Sequence, residues 1–339
     1  MKTLSKEGCV MKKVVMLIFL VVLVGCSNHV DAKDNIELQL GHALSPGTAA
    51  SDELERMAEA VEERTNGTVT FDIYGNSKLG SETEMLQQIQ MGAMDAGAIM
   101  IGSMQTMDMR LAIEDLPYMW KDEQTAREAY EGEFGDYLSG IASEYKLHQI
   151  GYLEWGFRHI TNNSKPIVEP EDVKNLDIRV AETALRVDTF ETLGAMPTVM
   201  AFSEVYGALQ QGALDAQENP LANIVAPRFY EVQNYLSLTG HFYNTVMVVI
   251  SEDTWNEISK ENQEIILEEM KKSTENVYTA NDENESSYLQ ELEENGMQIN
   301  DDVNTESFRE KLLPVYDKWE EKVFGKELMD VYRKASGFE

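Results

Sequence analysis

Arg158, Arg179 and Arg186 form the densest group among only ten arginines in the chain. A guanidinium is a planar fork of N–H donors that matches two carboxylate oxygens, so such a group is suited to gripping an organic acid. Arg179 sits in Leu176-Asp177-Ile178-Arg179-Val180, where Leu176, Ile178 and Val180 alternate as a strand and turn Arg179 to the opposite face. A salt-bridged strand face is the structural alternative for this arginine. A unit pair at 4 Å is worth about 4 kcal/mol at an effective dielectric of 20, enough to act against a distant acidic surface. Further on, Gln217-Glu218-Asn219-Pro220 reads as a turn beyond the carboxyl end of a strand, where α/β sheets place ligands. Asn219 offers both donor and acceptor there, and a plain Asn-Pro turn is the alternative.

Other chemistries find no footing in the sequence. The five histidines (His29, His42, His148, His159 and His241) include no pair at i,i+3 or i,i+4, and H-E-x-x-H is absent. The phosphate-binding, dinucleotide-binding and nucleophile-elbow glycine motifs are absent too. No metal, cofactor or catalytic residue is expected. A carboxylate pair of glycosidase type remains open, because 60 acidic residues make chance pairs inevitable, and with it a secreted acid–base hydrolase. The 28 Lys+Arg against 60 Asp+Glu give a formal net charge of −32. That balance argues against nucleic acid and against an anionic membrane surface. It leaves room for a small anion, since bulk charge is screened within about 8 Å at physiological salt.

The elements that would position these residues read as alternating strands and helices. Ile36, Leu38 and Leu40 alternate as a strand, and Ser45-Pro46-Gly47-Thr48 makes a turn. Leu54, Met57, Ala58 and Val61 follow at helical spacing until Asn66-Gly67. Val69, Phe71 and Ile73 form a second strand, and Ser81 with Glu84 predicts a capping box before Met85, Leu86 and Ile89. Gly92 ends that helix and residues 96–101 are an apolar strand. Short connections between such elements mean a parallel α/β sheet. The run EMLQQIQMGAMDAG (84–97) returns as EVYGALQQGALDAQ (204–217), with a strand over 198–202 before it and Ser203 as its cap. Two similar lobes with a ligand cleft between them follow from this repeat. Residues 246–250 are strand-like, residues 255–295 helical with an acidic solvated face, and Pro314 is expected to kink or restart a last helix. No Pro-rich or low-complexity linker divides the chain, so strands join the lobes.

The N-terminus reads as an address. Lys12 and Lys13 precede an apolar run from Val14 to Val24, long enough for a secretory signal but short of the roughly 20 residues of a membrane span. Leu23-Val24-Gly25-Cys26 resembles a lipobox, with cleavage before Cys26 and acylation of its sulfur. Met11 is a second plausible start. Cleavage removes four of the 28 basic residues (Lys2, Lys6, Lys12, Lys13) and Glu7, leaving 24 basic against 59 acidic residues. Cys9 goes with the signal, so the exported chain has no internal disulfide and depends on its own core.

Several segments together give a specific resemblance. Gly156-Phe157-Arg158 with Thr161-Asn162, Leu176 to Val180, Met200-Ala201-Phe202-Ser203-Glu204-Val205-Tyr206, Asp215 to Leu221, residues 229–233 and Thr239-Gly240-His241 all take part. With Leu79-Gly80 and Leu116-Pro117-Tyr118, they resemble the extracytoplasmic solute-binding component of TRAP transporters, the DctP-type family, from about residue 36 to the C-terminus. The resemblance implies a two-lobed, periplasmic-binding-protein-like α/β clamp with hinge strands and a long bracing helix. It implies closure on an organic acid and delivery to a permease driven by an ion gradient, in a protein that is not an enzyme. Arg179 matches the arginine that pairs with the ligand carboxylate, Asn219 an asparagine on the same group, Arg158 a second cleft arginine and Phe202 an aromatic wall. Glu218 and His241 are expected in a buried network behind Arg158, and His42 and Glu82 are candidates for reading ligand hydroxyls. Residues 98–103 are apolar or small where sialic-acid-binding relatives carry acidic and arginine residues, which disfavours sialic acid. A uronate or aldonate is preferred over a C4-dicarboxylate, which needs a second cationic contact. Expected boundaries are a signal at 1–25, a tether at 26–35, one lobe of 36–155 with 245–284, and a second of 156–244 with 285–339. The expected location is the outer face of the bacterial cytoplasmic membrane, held by lipid, or the periplasm. An ATP-driven importer or a chemoreceptor remains an alternative partner.

Overall fold

The computed structural model describes residues 35–338. The signal, Cys26 and all of the tether but Asn35 lie outside these residues. No helix among the described residues is long and apolar enough to cross a membrane.

The chain opens as the alternation requires: β1 (Ile36–His42), α1 (Ala49–Arg64), β2 (Val69–Tyr74), α2 (Glu82–Gln90) and β3 (Ala96–Met100). β1 pairs in parallel with both β2 and β3. The capping box forms at Ser81, whose hydroxyl accepts from Glu84 N while Glu84 accepts from Ser81 N. Two 3₁₀ segments, Ile101–Thr106 and Met109–Asp115, then lead to α3 (Glu123–Tyr130) and α4 (Glu133–Glu144). The long strand β4 (Leu147–Asn162) carries the chain into a second half built of β5 (Asp177–Val180), α5 (Ala184–Leu193), β6 (Met196–Val199), α6 (Phe202–Gln210), β7 (Ala216–Pro220) and the short α7 (Ala222–Val225). β5 pairs in parallel with β6 and β7, repeating the pattern of the first half. β8 (Tyr235–Ser251) returns beside β4 and is antiparallel to it.

One continuous sheet results, in the order β2-β1-β3-β8-β4-β7-β5-β6, with β9 (Gln298–Asn300) pairing with β8. The two parallel halves are therefore joined by two long antiparallel strands. Register shifts interrupt that pair at Gln149/Gly151, Glu154/Gly156 and Arg158/Ile160, and Gly156 adopts φ +98°. Bulges bend strands locally, which suits a hinge between two lobes. After α8 (Glu252–Glu257), the 35-residue α9 (Lys260–Glu294) runs about 50 Å at 1.5 Å per residue. It gives Ile266, Met270 and Val277 to the core of the first half and Leu292 to a cluster with Leu209, Ile224 and Phe229 in the second. Arg127 on α3 binds both Glu154 of β4 and Asp282 of α9, fixing this brace to a hinge strand.

Several expectations are corrected. Gln217 to Pro220 are strand rather than turn, paired along β4 from Thr161 to Arg158, with Pro220 at the strand's last position where it breaks nothing. Ser203 caps nothing: α6 starts at Phe202, after Ala201, and has no side-chain cap. The strand before it ends at Val199. α10 (Thr305–Trp319) passes through Pro314 and gives way only later, to a π turn at Glu320–Phe324 and α11 (Gly325–Ser336). The Tyr332 ring of α11 meets Trp120 at 6.0 Å.

Candidate functional site

A narrow cavity lies where the halves face each other. Its walls come from the ends of β1 and β3, the start of α2, the hinge strand β4, and the second half's β5, α6 and β7. Arg158, Arg179, Asn219, Phe202 and Glu82 all line it, so five of the seven expected residues, 137 positions apart in the chain at the extremes, converge on one space.

β7 lies between β4 and β5, which brings Arg158, Asn219 and Arg179 together from three neighbouring strands. Arg179 is 3 % exposed, and its Nε and Nη2 donate to one acceptor, the Met200 carbonyl, at 2.9 and 2.6 Å. Among the described residues it has no carboxylate partner at ion-pair distance. Burial lowers its pKa to about 9, with Glu218 opposing and Arg158 and Arg186 assisting. Its guanidinium carbon stands 6.0 Å from the ring centre of Phe202, which supplies an apolar wall.

Arg158 is held differently. Its Nε donates to Glu218 Oε2 at 2.5 Å, and its Nη2 to Glu218 Oε1 at 3.0 Å, to the Glu218 carbonyl and to Asn219 Oδ1. Asn219 Nδ2 in turn donates to Gln217 Oε1, and Gln217 Nε2 to Thr161 Oγ1. Burial alone would raise the Glu218 pKa, but Arg158 and Arg186 outweigh it and hold the carboxyl well below its ordinary range. His241 places Nε2 3.4 Å from Glu218 Oε2 and Nδ1 2.7 Å from Thr239 Oγ1.

The opposite wall is acidic. Glu82 Oε1 accepts from Met100 N and Oε2 from the Ser103 hydroxyl, both at 2.8 Å. Burial raises its pKa against those two bonds. Glu218 and His42 stand one layer behind the cavity rather than in its lining. Glu218 is turned inward by its two arginines. His42 points under Gly75, where a Cβ would fall 2.6 Å from its Cε1, and burial lowers its pKa to about 4.

Sequence reasoning left several wall residues without a role. Glu182 lines the cavity and accepts from the Thr83 hydroxyl at 2.9 Å, joining the two halves. Gln105 bridges them as well, donating to Glu182 O and accepting from Ala184 N. Glu182 follows Arg179 by three residues, but a lone Glu in a loop carries no periodic signal. The backbone curvature that aims it appears only in the fold. Among the described residues no His, Cys, Asp and Glu cluster is arranged to hold a metal ion.

The chain is similar to known proteins in both sequence and fold. The model of "Bacterial extracellular solute-binding protein, family 7" (DctP) matches residues 40–322. The chain is 33% identical to the sialic acid-binding periplasmic protein SiaP of Vibrio cholerae over 294 residues, covering 84% of this chain and 89% of that one. Among solved structures, a TRAP periplasmic solute binding protein from Sulfitobacter with bound β-D-galacturonate superposes with a TM-score of 0.85 at 27% identity, covering 89% of this chain and all of that one. One from Sulfurospirillum deleyianum with bound succinate gives 0.83 at 26% identity, covering 89% and 99%. With its two-lobed clamp and its arginine-lined cleft, the chain belongs to the DctP family of bacterial extracellular solute-binding proteins.

Proposed function

We propose that this protein captures an organic acid anion in the cleft and delivers it to the membrane permease of a TRAP transporter. The observation that carries this reading is Arg179, a buried guanidinium at the cavity wall whose only hydrogen-bond acceptor among the described residues is a carbonyl. An incoming carboxylate supplies the missing partner. Arg158 and Asn219, beside it, orient the same group, and Phe202 packs on the ligand's apolar side. Glu82 across the cleft is an acceptor for hydroxyls and repels a second carboxylate. A hydroxylated monocarboxylate, such as a uronate or aldonate, is therefore preferred over a C4-dicarboxylate. The relatives cited include both kinds of ligand, β-D-galacturonate and succinate. His42 supports the wall from behind: its carbonyl accepts from Ser77 N at 3.0 Å, and Ser77 lines the cavity. Cys26 anchors the exported chain by lipid, with the 26–35 segment as tether. The lobes divide where β4 and β8 cross between the halves, near residues 155 and 245.

The test is a thermal-shift screen of sugar acids and dicarboxylates. A ligand at 100 times its Kd adds about 2.7 kcal/mol of stability. Arg179→Ala is expected to abolish the shift, and a retained shift would sink the carboxylate role. Recovery of the bound compound intact after release distinguishes binding from turnover.

A further inference from the structure

Behind the cleft lies an arginine to which the reading above gives no task. Arg186, on α5, is fully buried and does not line the cavity. Its Nη1 donates to Glu218 Oε1 at 3.0 Å. Its Nε and Nη2 donate to Asp115 Oδ1 at 3.0 and 2.7 Å, and Nη2 also reaches Asn244 Oδ1 at 2.5 Å. The oxygen acceptors come from β7 of the second half, the 3₁₀ segment Met109–Asp115 and the hinge strand β8, and Nη2 also reaches Met100 Sδ at the end of β3, at 3.3 Å. These contacts call on more N–H donors than the three of an ammonium, and a guanidinium has five.

We propose that Arg186 is a positioning residue for anion recognition, sharing Glu218 with Arg158 and tying both to Asp115, so that the charge and aim of the cleft arginines depend on the first half being in place. This inference rests on the carboxylate reading of the cleft. Glu218 Oε1 receives Arg158 Nη2 and Arg186 Nη1, both at 3.0 Å, so one carboxylate is divided between two guanidinium groups. Asp115 sets a second carboxylate against these two guanidinium groups, while Arg179 stands outside their ion pairs and is left for a ligand. Asp115 packs closely on Gly102, where a Cβ would fall 2.4 Å from its Oδ2, and its Oδ1 also accepts from Asn244 Nδ2 at 3.1 Å. Its neighbour Glu114 accepts from Gly102 N and Thr245 N, linking the same turn to the hinge strand. Removing Arg186 leaves Glu218 and Asp115 facing Arg158 alone. The resulting negative excess beside Arg179 weakens anion binding, and Glu218 loses one of the bonds that orient it.

The experiment compares Arg186→Met, Arg186→Lys, Asp115→Asn and the double variant Arg186→Met/Asp115→Asn with the wild type. Calorimetry with D-glucuronate and D-galacturonate gives Kd, unfolding midpoints report folding, and NMR follows the His241 ring titration. That ring faces Glu218, Thr239, the aromatic rings of Phe190 and Phe242, and the charges of Arg158 and Arg186. Arg186→Met is expected to weaken binding at least tenfold and to raise the His241 pKa, because a nearby positive charge is gone. Arg186→Lys retains part of the affinity. Asp115→Asn costs stability without a comparable loss of affinity, and the double variant recovers most of what Arg186→Met lost. A purely structural arginine would instead lower stability and affinity together in every variant. Wild-type affinity and an unmoved His241 in Arg186→Met, or a double variant no better than the single, would overturn the proposal. If the wild type binds neither sugar acid, the carboxylate reading with these probes fails, while the His241 titration still decides the electrostatic claim.

Discussion

Arg179 carries its charge into a place that offers it one carbonyl, and the cost is visible in a pKa lowered by burial to about 9. The sign of the linkage follows. Between the folded value and the ordinary arginine range, the unfolded chain binds the proton that the folded chain gives up. Stability from this group therefore rises as pH climbs through that window, and below about pH 9 the buried charge is a net cost. Arg179→Met should raise the unfolding free energy of the ligand-free protein by on the order of 1 kcal/mol or more while eliminating ligand binding. Calorimetric unfolding at pH 7, without and with D-glucuronate, checks both halves of that statement. In the wild type, ligand affinity should be flat from pH 6 to 8 and fall as pH passes about 9, approaching tenfold per unit, because the carboxylate loses its cation. A titration by fluorescence across pH 7–10.5 reads this directly, and a constant affinity throughout would place the charge elsewhere. Strand alternation made Arg179 legible before any coordinates, since Ile178 and Val180 fix which way it points. The buried pairing of Glu218 with Arg158 was anticipated, but the second guanidinium on that carboxylate, Arg186, was not legible, because only the fold brings α5 against β7.

At the level of elements, what the sequence revealed divides along a physical line. Elements with one wet face stood out: α1, α2 and β1 alternate, and the capping box at Ser81 forms as its spacing requires. The hinge strands did not stand out. Only residues 246–250 of β8 are an apolar run, because Ser237, Thr239, His241 and Asn244 are polar and yet buried. A periodicity reading assigns such residues to the outside, while here Thr239 pairs with His241, Asn244 with Arg186 and Asp115, and Ser237 with the Ile167 backbone N–H. β4 is hidden for a second reason: its bulges near Gly151 and Gly156 break the two-residue period. Gly151 also marks a close approach of the brace to the hinge, next to the bond that Thr274 Oγ1 donates to Tyr152 O at 2.8 Å. A Cβ there would meet Met270 Cγ of α9 at 2.4 Å. Gly151→Val should then cost about 1–3 kcal/mol through overpacking. Adding Met270→Ala should return part of that loss, although it opens a cavity of its own when made alone. Denaturant unfolding of the two single variants and the double gives the coupling. Additive costs would mean that the helix and strand do not press on each other at this point.

For the whole molecule, the question is how a chain with a formal charge of −32 collects anions. Most of its acidic residues lie on the surface, including the outer face of α9, while the cleft arginines are almost fully buried. The two fields differ in range and in their response to salt. At about 0.01 M ionic strength the screening length is about 30 Å, so an approaching organic acid is repelled by much of the surface. Near 0.15 M it is about 8 Å, and that repulsion is confined to immediate neighbours. The contact between Arg179 and a carboxylate, closed off from water, is screened far less than the surface. Association should therefore speed up severalfold as salt is raised between these limits, with dissociation little changed, the reverse of ordinary attraction between opposite charges. Trp155 lines the cavity and gives a fluorescence signal for stopped-flow mixing with D-glucuronate. If association slows as salt rises, the field of the arginines reaches beyond the cleft mouth and steers ligands in. The acidic surface would then be bypassed rather than screened, and the arginine group would set the capture rate as well as the grip.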